Sequence, residues 1–226
     1  MLESLEPVIN RNVKKLNNKL IHLKELDKRC EFFGSESHKY KLKPCLSKLA
    51  IQQFEDQYQV KLPDDYRDFL LEVGNGGAGP GYGLLGIEIN SFDSENPELK
   101  YLSQPFILTH EWNDLDLMQA SHEEGNPVYF YPNFIQGTIL VAEYGCGVEA
   151  RLVITGSERG NIWIDDRTNE AGIYPLSPHC AAFFHDDPDI EADLYESIEE
   201  VKTALSFYDW YNDWLNRGIS QVIRFG

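Results

Sequence analysis

Apolar residues fall at Leu2, Leu5, Ile9, Val13, Leu16, Leu20 and Leu23, in steps of three and four. That is helical or heptad spacing, and it predicts an amphipathic helix with a narrow apolar seam at the start of the chain. Pro7 suits a first helical turn, Lys24, Lys28 and Arg29 suit the C-terminal end, and Gly34 is a stop. A seam this narrow either docks on the rest of the chain or pairs with a second copy as a homodimer. Residues 35–45 follow as a basic polar link. Residues 1–45 are therefore expected to form an N-terminal helical extension, and residues 46–226 the main domain.

A second helix is predicted after Ser47, a possible cap, with Ile51, Phe54 and Tyr58 on one face and Leu62-Pro63 as its break. A third begins at Pro63 or Asp64, with Tyr66, Phe69, Leu70 and Val73 as its buried stripe and Gly74 as a left-handed stop. The period then changes from helical to strand-like. Segments 82–89, 105–109, 128–131, 137–145, 150–156 and 161–166 are rich in β-branched and aromatic residues, and turn residues separate most of them. The last four are spaced as an antiparallel meander. Residues 113–120 suit one or two helical turns. Leu194, Ile198, Val201, Leu205 and Tyr208 return to helical spacing, and Ser206 with Asp209 resembles a capping box ahead of a closing helix. Helices, then strands, then a helix is an α+β order: a mostly antiparallel sheet flanked by helices, with an N-terminal helical extension.

Charge narrows the function classes. Net charge is −17, and it is uneven. Residues 1–60 hold 11 Lys and Arg against 8 Asp and Glu, whereas residues 61–226 hold 9 against 29. Such a body repels phosphate backbones, so no nucleic acid partner is expected. It attracts a basic protein, although acidity also serves plain solubility. No apolar run is long enough to span a bilayer and the N-terminus lacks a signal-peptide pattern, so no membrane association and a cytoplasmic location are expected. Cys30, Cys45, Cys146 and Cys180 form no C-x-x-C pair and read as free thiols.

Seven glycines lie between Leu62 and Gly86. A phosphate-binding loop needs Gly-Lys-Ser/Thr ahead of a helix, and a dinucleotide fingerprint runs strand, glycines, helix. Here no Lys or Arg lies between Arg67 and Lys100, and the order is helix, glycines, strand. The stretch reads instead as a structural turn made by Gly74, Asn75, Gly76 and Gly77, and no cofactor is expected.

The segment LPDDYRDFLLEVGNGG, preceded by Ile51, Phe54 and Glu55, resembles the signature of the SUKH superfamily. That superfamily includes fungal cell-wall synthesis regulators and bacterial toxin-immunity proteins. LVITGSERGNIWIDDRTNEAGIYPL resembles its strand pair and SFYDWYNDWLNR its closing helix, so the resemblance spans roughly residues 46–217. It implies an α+β fold and no catalytic residues.

Catalytic patterns are incomplete. HEWND at 110–114 lacks the second histidine of a zinc helix, and two ligands do not make a zinc site. TGSERG at 155–160 departs from a nucleophile elbow. HDDPDIEAD at 185–193 lacks the glycine and terminal glutamate of a calcium loop. Cys180, between His179 and His185, sits in an apolar run that suits a structural thiol. No metal is expected. The remaining constellation is aromatic and acidic: Trp112, Asp114, Asp116, Glu143, Tyr144, Trp163, Asp165 and Asp166. These residues are expected either as aromatic anchors in an acidic rim, which is a protein-binding patch, or, for the tryptophans, as core. The carboxylates alone could serve acid-base hydrolysis. The favoured reading is a non-enzymatic immunity protein that binds a cognate toxin, and the acidic body suits a basic one. The alternative is a regulatory scaffold, and a hydrolase is the remaining possibility.

Overall fold

A computed structural model describes residues 11–87, 100–124, 127–178 and 204–225. The expected acidic loop at 185–193, Cys180, the helical positions Leu194, Ile198 and Val201, and the end of the 82–89 segment lie outside the described residues.

The helices are α1 (Arg11–Leu26), α2 (Ser35–His38), α3 (Lys48–Tyr58), α4 (Asp64–Glu72), α5 (Leu115–Glu124) and α6 (Phe207–Phe225). The strands are β1 (Thr138–Gly145), β2 (Val148–Val153), β3 (Ile162–Asp166) and β4 (Gly172–Pro175). They form one antiparallel sheet in the order β1-β2-β3-β4, so the α+β expectation holds. The meander is displaced by one strand. Residues 128–131, expected as its first strand, lie in a 3-10 turn (Pro127–Phe130), and β4 closes it instead. α5 is longer than the one or two turns expected of residues 113–120.

Local chemistry explains the helix ends. Ser47 Oγ accepts from the Ala50 amide as the cap of α3, and Gln59, with φ 55°, ends that helix before Leu62-Pro63 is reached. At the start of α6, the Asp209 amide donates to Ser206 Oγ (3.1 Å) and the Tyr208 amide to Asp65 Oδ2 (3.0 Å). Two of the otherwise unpaired amides of the first turn are thereby satisfied, one of them from a distant helix.

Both faces of the sheet are covered. Ala150, Leu152, Ile162 and Ile164 point to the helical layer, where Phe69, Phe207, Trp210, Tyr211 and Trp214 form the main core. The alternate residues Val153, Trp163 and Ile173 point the other way, into a smaller cluster with Phe106 and Ile135. Residues 101–136 supply that second cover.

The edges are closed as well. On one side, single bridges continue from Ala142 of β1 to Leu84, from Leu84 to Gly77, and from Gly77 to Leu42. On the other, Trp112 exchanges two 2.8 Å backbone hydrogen bonds with Ile173 of β4. Closed edges deny a second chain a template for strand addition.

The glycine stretch is where the chain packs backbone on backbone. Gly77 has φ 100°, and a methyl group there would collide with the Lys41 carbonyl. Gly81, at φ 61°, lies as close to the Glu143 carbonyl of β1. The stretch therefore docks the 39–45 link on one side and the sheet on the other. Gly74 is not left-handed as expected. It is required because Lys43 O would lie 2.7 Å from a β-carbon there. Asn75 Oδ1 accepts from the Ile87 amide (3.0 Å) and ties the far end of the turn.

The described part of the seam, from Val13 on, packs within the chain. Val13, Leu16, Leu20 and Leu23 are buried in the main core, with α1 packed along α6. Leu23 and Phe32 meet α6 at Gly218. Among the described residues, the seam leaves no apolar surface for a homodimer. The 27–40 segment is equally integrated: buried Asp27 accepts from the amides of Glu31 and Phe32, from Ser35 Oγ and from the Tyr40 hydroxyl (2.6 Å).

Candidate protein-binding surface

Register puts several of the expected site residues in one row. Glu143 stands opposite Glu149, Glu149 opposite Asp165, Asp165 opposite Ile173, and Ile173 opposite Trp112. Directly opposed residues share a face, so Glu143, Asp165 and Trp112 lie on the side covered by residues 101–136. Trp163 is on that side too, but it is 1% exposed and packs edge-on to Phe106 at 5.0 Å. It is core rather than a surface anchor.

Tyr144 is on the opposite face. It is buried, and its hydroxyl accepts from Trp210 Nε1 at 3.1 Å. Burial pushes its pKa above the ordinary tyrosine range. Strand alternation separates these two aromatics from each other and from the surface: Trp163 follows its core alternative, and the anchor reading of Tyr144 is corrected.

Asp165 is a structural anion. Arg167 binds it twice, Nε to Oδ1 and Nη2 to Oδ2, both at 2.7 Å, and Arg151 lies 3.7 Å from it. Asp165, Arg167 and Arg151 are all buried. The free arm of Arg167 donates to the carbonyls of Tyr129 (2.9 Å) and Tyr131 (3.2 Å). This cation thus bolts the 127–131 turn onto β3, with its charge neutralised by Asp165. Asp166 alternates to the other side of the strand, where it accepts from Asn169 Nδ2 (2.6 Å) and the Tyr174 hydroxyl (3.4 Å). The two aspartates are therefore not brought together as an acid-base pair.

The clamp has a visible consequence. Phe130 and Tyr131 are 41% and 42% exposed although their backbone is held by a buried cation. The Phe130 ring lies 5.9 Å from the Arg167 guanidinium carbon. Behind them, Trp112 is stacked between Phe134 (4.1 Å) and Tyr129 (5.3 Å). The Tyr129 hydroxyl donates to Asn113 Oδ1 (2.6 Å), and Asn113 Nδ2 donates to the Glu170 carbonyl (2.7 Å). Next to the turn, α5 offers Leu115, 57% exposed, flanked by exposed Asp114 and Asp116. Asp114 also caps α5 through the Leu117 amide (2.9 Å). Exposed Glu143 continues the acidic margin along the sheet row, while half-buried Glu149 beside it accepts from Arg151 Nη2.

Sequence reasoning passed over Phe130 and Tyr131 because VYFY reads as a buried strand, and over Leu115 because it reads as an ordinary apolar position of a short helix. Gly125, Asn126, Pro127 and Pro132 around VYFY were the available signs of a turn.

Glu55 and Asp65 of the family-like segment have structural roles. Glu55, buried in α3, accepts from Lys61 Nζ (2.9 Å), the Leu62 amide (3.0 Å) and Arg67 Nη1 (2.9 and 3.0 Å). These partners hold its carboxyl below the usual range although burial alone would raise it. Asp65, which caps α6, is instead pushed up by burial. Among the described residues no cluster of three or more His, Cys, Asp or Glu side chains is arranged to hold a metal ion, and no helix is long and apolar enough to cross a membrane.

The polar residues Glu55, Asp65 and Asn75 of this signature are thus committed to caps, turns and ion pairs within the fold. Residues 45–213 match the SMI1 / KNR4 family (SUKH-1), and the chain belongs to that family. No curated protein and no solved structure gives a significant match to the chain. Family membership supports a non-catalytic immunity or regulatory domain.

Proposed function

We propose that this chain is an immunity protein that neutralises a cognate toxin by one-to-one binding, through the face built by α5 and the 127–131 turn. The observation that carries this reading is the pair Phe130 and Tyr131, exposed aromatics on a backbone fixed by the Asp165–Arg167 clamp. Rigid aromatics lose little conformational entropy on binding, and such residues dominate interface energetics. The margin of Asp114, Asp116 and Glu143 favours a basic partner and speeds its approach. Occlusion of the toxin's own site is then sufficient for protection, and no chemistry is required of this chain.

The test is co-expression with candidate toxin domains, starting with the product of the adjacent gene. The expected result is rescue of growth and a one-to-one complex on size-exclusion chromatography, with rescue lost in F130A/Y131A. Rescue by that variant at full strength would place the interface elsewhere. A stable complex with a partner of no toxicity would favour the regulatory reading instead.

A further inference from the structure

An open groove of about 620 Å³ lies between the start of α1, the start of α3 and the end of α4, on ground the proposed toxin face does not use. Val13 is buried and Leu46 and Leu71 are half-buried, so the floor is apolar. Lys14 and Lys48 are exposed at the rim, against one lining acid, Glu72. Exposed Lys15 and Leu49, the latter 67% exposed, adjoin those lysines in the chain. This is basic, apolar ground on a body whose net charge is −17. Its complement is a surface that displays apolar side chains among carboxylates.

The chain itself carries such a surface. Leu115, Phe130 and Tyr131 are exposed beside the carboxylates of Asp114, Asp116 and Glu143. One molecule does not bring the two together, because the sheet stands between them. Val13 and Leu70, at the groove's helices, belong to the core on the helical side, whereas Trp112 and Phe134, behind the 127–131 turn, pack against the cluster on the other side. We propose that the groove holds the acidic, aromatic face of a second copy. The contact joins two different patches, so copies add head to tail rather than as a two-fold pair. The charge distribution favours it: residues 1–60 hold 11 Lys and Arg against 8 Asp and Glu, and residues 61–226 hold 9 against 29. Exposed charges at the rim make the contact sensitive to salt. A copy joined in this way has Phe130 and Tyr131 covered, and a toxin must displace the neighbour to reach them. That regulatory role rests on the toxin reading above; the contact itself does not.

Sedimentation velocity of the full-length chain over a concentration series tests this, at about 0.02 M and about 0.5 M salt. Association should grow with concentration at the lower salt and weaken at least about tenfold at the higher. K14E/K48E changes only the groove and D116K/E143K only the face, so each variant alone should stay monomeric. An equimolar mixture of the two should associate again, because each retains the half that the other lacks. Circular dichroism checks that both are folded. The unsubstituted chain gives a second reading that needs no variant: carbodiimide coupling of isotope-labelled with unlabelled chains should join Lys14 or Lys48 of one copy to Asp114, Asp116 or Glu143 of another. A monomer at every concentration, association indifferent to K14E/K48E, or intermolecular crosslinks only at other residues would overturn the self-contact. Toxin rescue is read separately. A monomeric chain that rescues growth removes the self-contact and leaves the toxin reading standing, and an associating chain that rescues nothing does the reverse.

Discussion

Arg167 holds both oxygens of Asp165 at 2.7 Å while its remaining arm grips the backbone on either side of Phe130. Two residues that sit next but one in sequence thereby fix a turn that is 38 residues away. The carboxylate that most invited a catalytic reading is committed to holding a surface in shape.

Breaking that pair should cost stability rather than activity. Asp165→Asn leaves a buried guanidinium without its counter-ion, and the expected loss is about 3–5 kcal/mol in urea denaturation. Asp166→Asn, half-buried with two neutral partners, should cost under about 1.5 kcal/mol. Equal losses at the two positions would contradict the clamp.

Phe130→Ala and Tyr131→Ala should behave in the opposite way. Their side chains are partly exposed, at 41% and 42%, so the loss of stability should stay below about 3–5 kcal/mol, the cost of truncating a core aromatic, while toxin affinity should fall at least about tenfold. Asp114→Lys with Glu143→Lys should slow association and flatten its salt dependence, with little change in dissociation. Stopped-flow binding at two ionic strengths reads both effects.

Gly77→Ala and Gly160→Ala separate two costs of a methyl group. Both positions have positive φ, 100° and 94°, so each carries left-handed strain of about 1–2 kcal/mol. At Gly160 the nearest atom to an added β-carbon is Pro63 Cβ at 3.8 Å, ordinary contact, whereas at Gly77 the Lys41 carbonyl is in the way. Gly77→Ala should therefore be the more destabilising of the two by thermal unfolding.

Acid should weaken the fold through His38. Burial against Trp214 and Tyr40 lowers its pKa to about 4, only partly offset by the Gly79 backbone and the Asp27 charge. Between pH 6.5 and 4 the unfolded chain takes up a proton that the folded chain refuses. Stability is thus complete above about pH 6.5 and declines toward pH 4, by up to about 1.4 kcal/mol per pH unit. Asp65, raised by burial, acts in the opposite sense near the acid end. His38→Leu should flatten the decline, and urea titrations at pH 7, 5.5 and 4.5 measure it.

The periodicity of Val13, Leu16, Leu20 and Leu23, the Ser47 cap and the Ser206–Asp209 pair were all legible in the sequence. So were the positive φ of Gly76 and Gly77 and the strand pairing of residues 138–166. These features arise from forces that act over one turn of helix or one hairpin, so neighbouring residues encode them. The family signature was legible for the same reason: Glu55 and Asn75 act within a dozen residues of themselves. Which aromatics face solvent was not legible. Trp163 and Tyr144 fall on opposite faces of the sheet, yet each is buried because both faces are covered. VYFY has strand composition, yet it is a turn because Arg167 captures its carbonyls from across the fold. Burial and surface display depend on contacts between segments far apart in the chain, and only the closed tertiary structure brings those segments together.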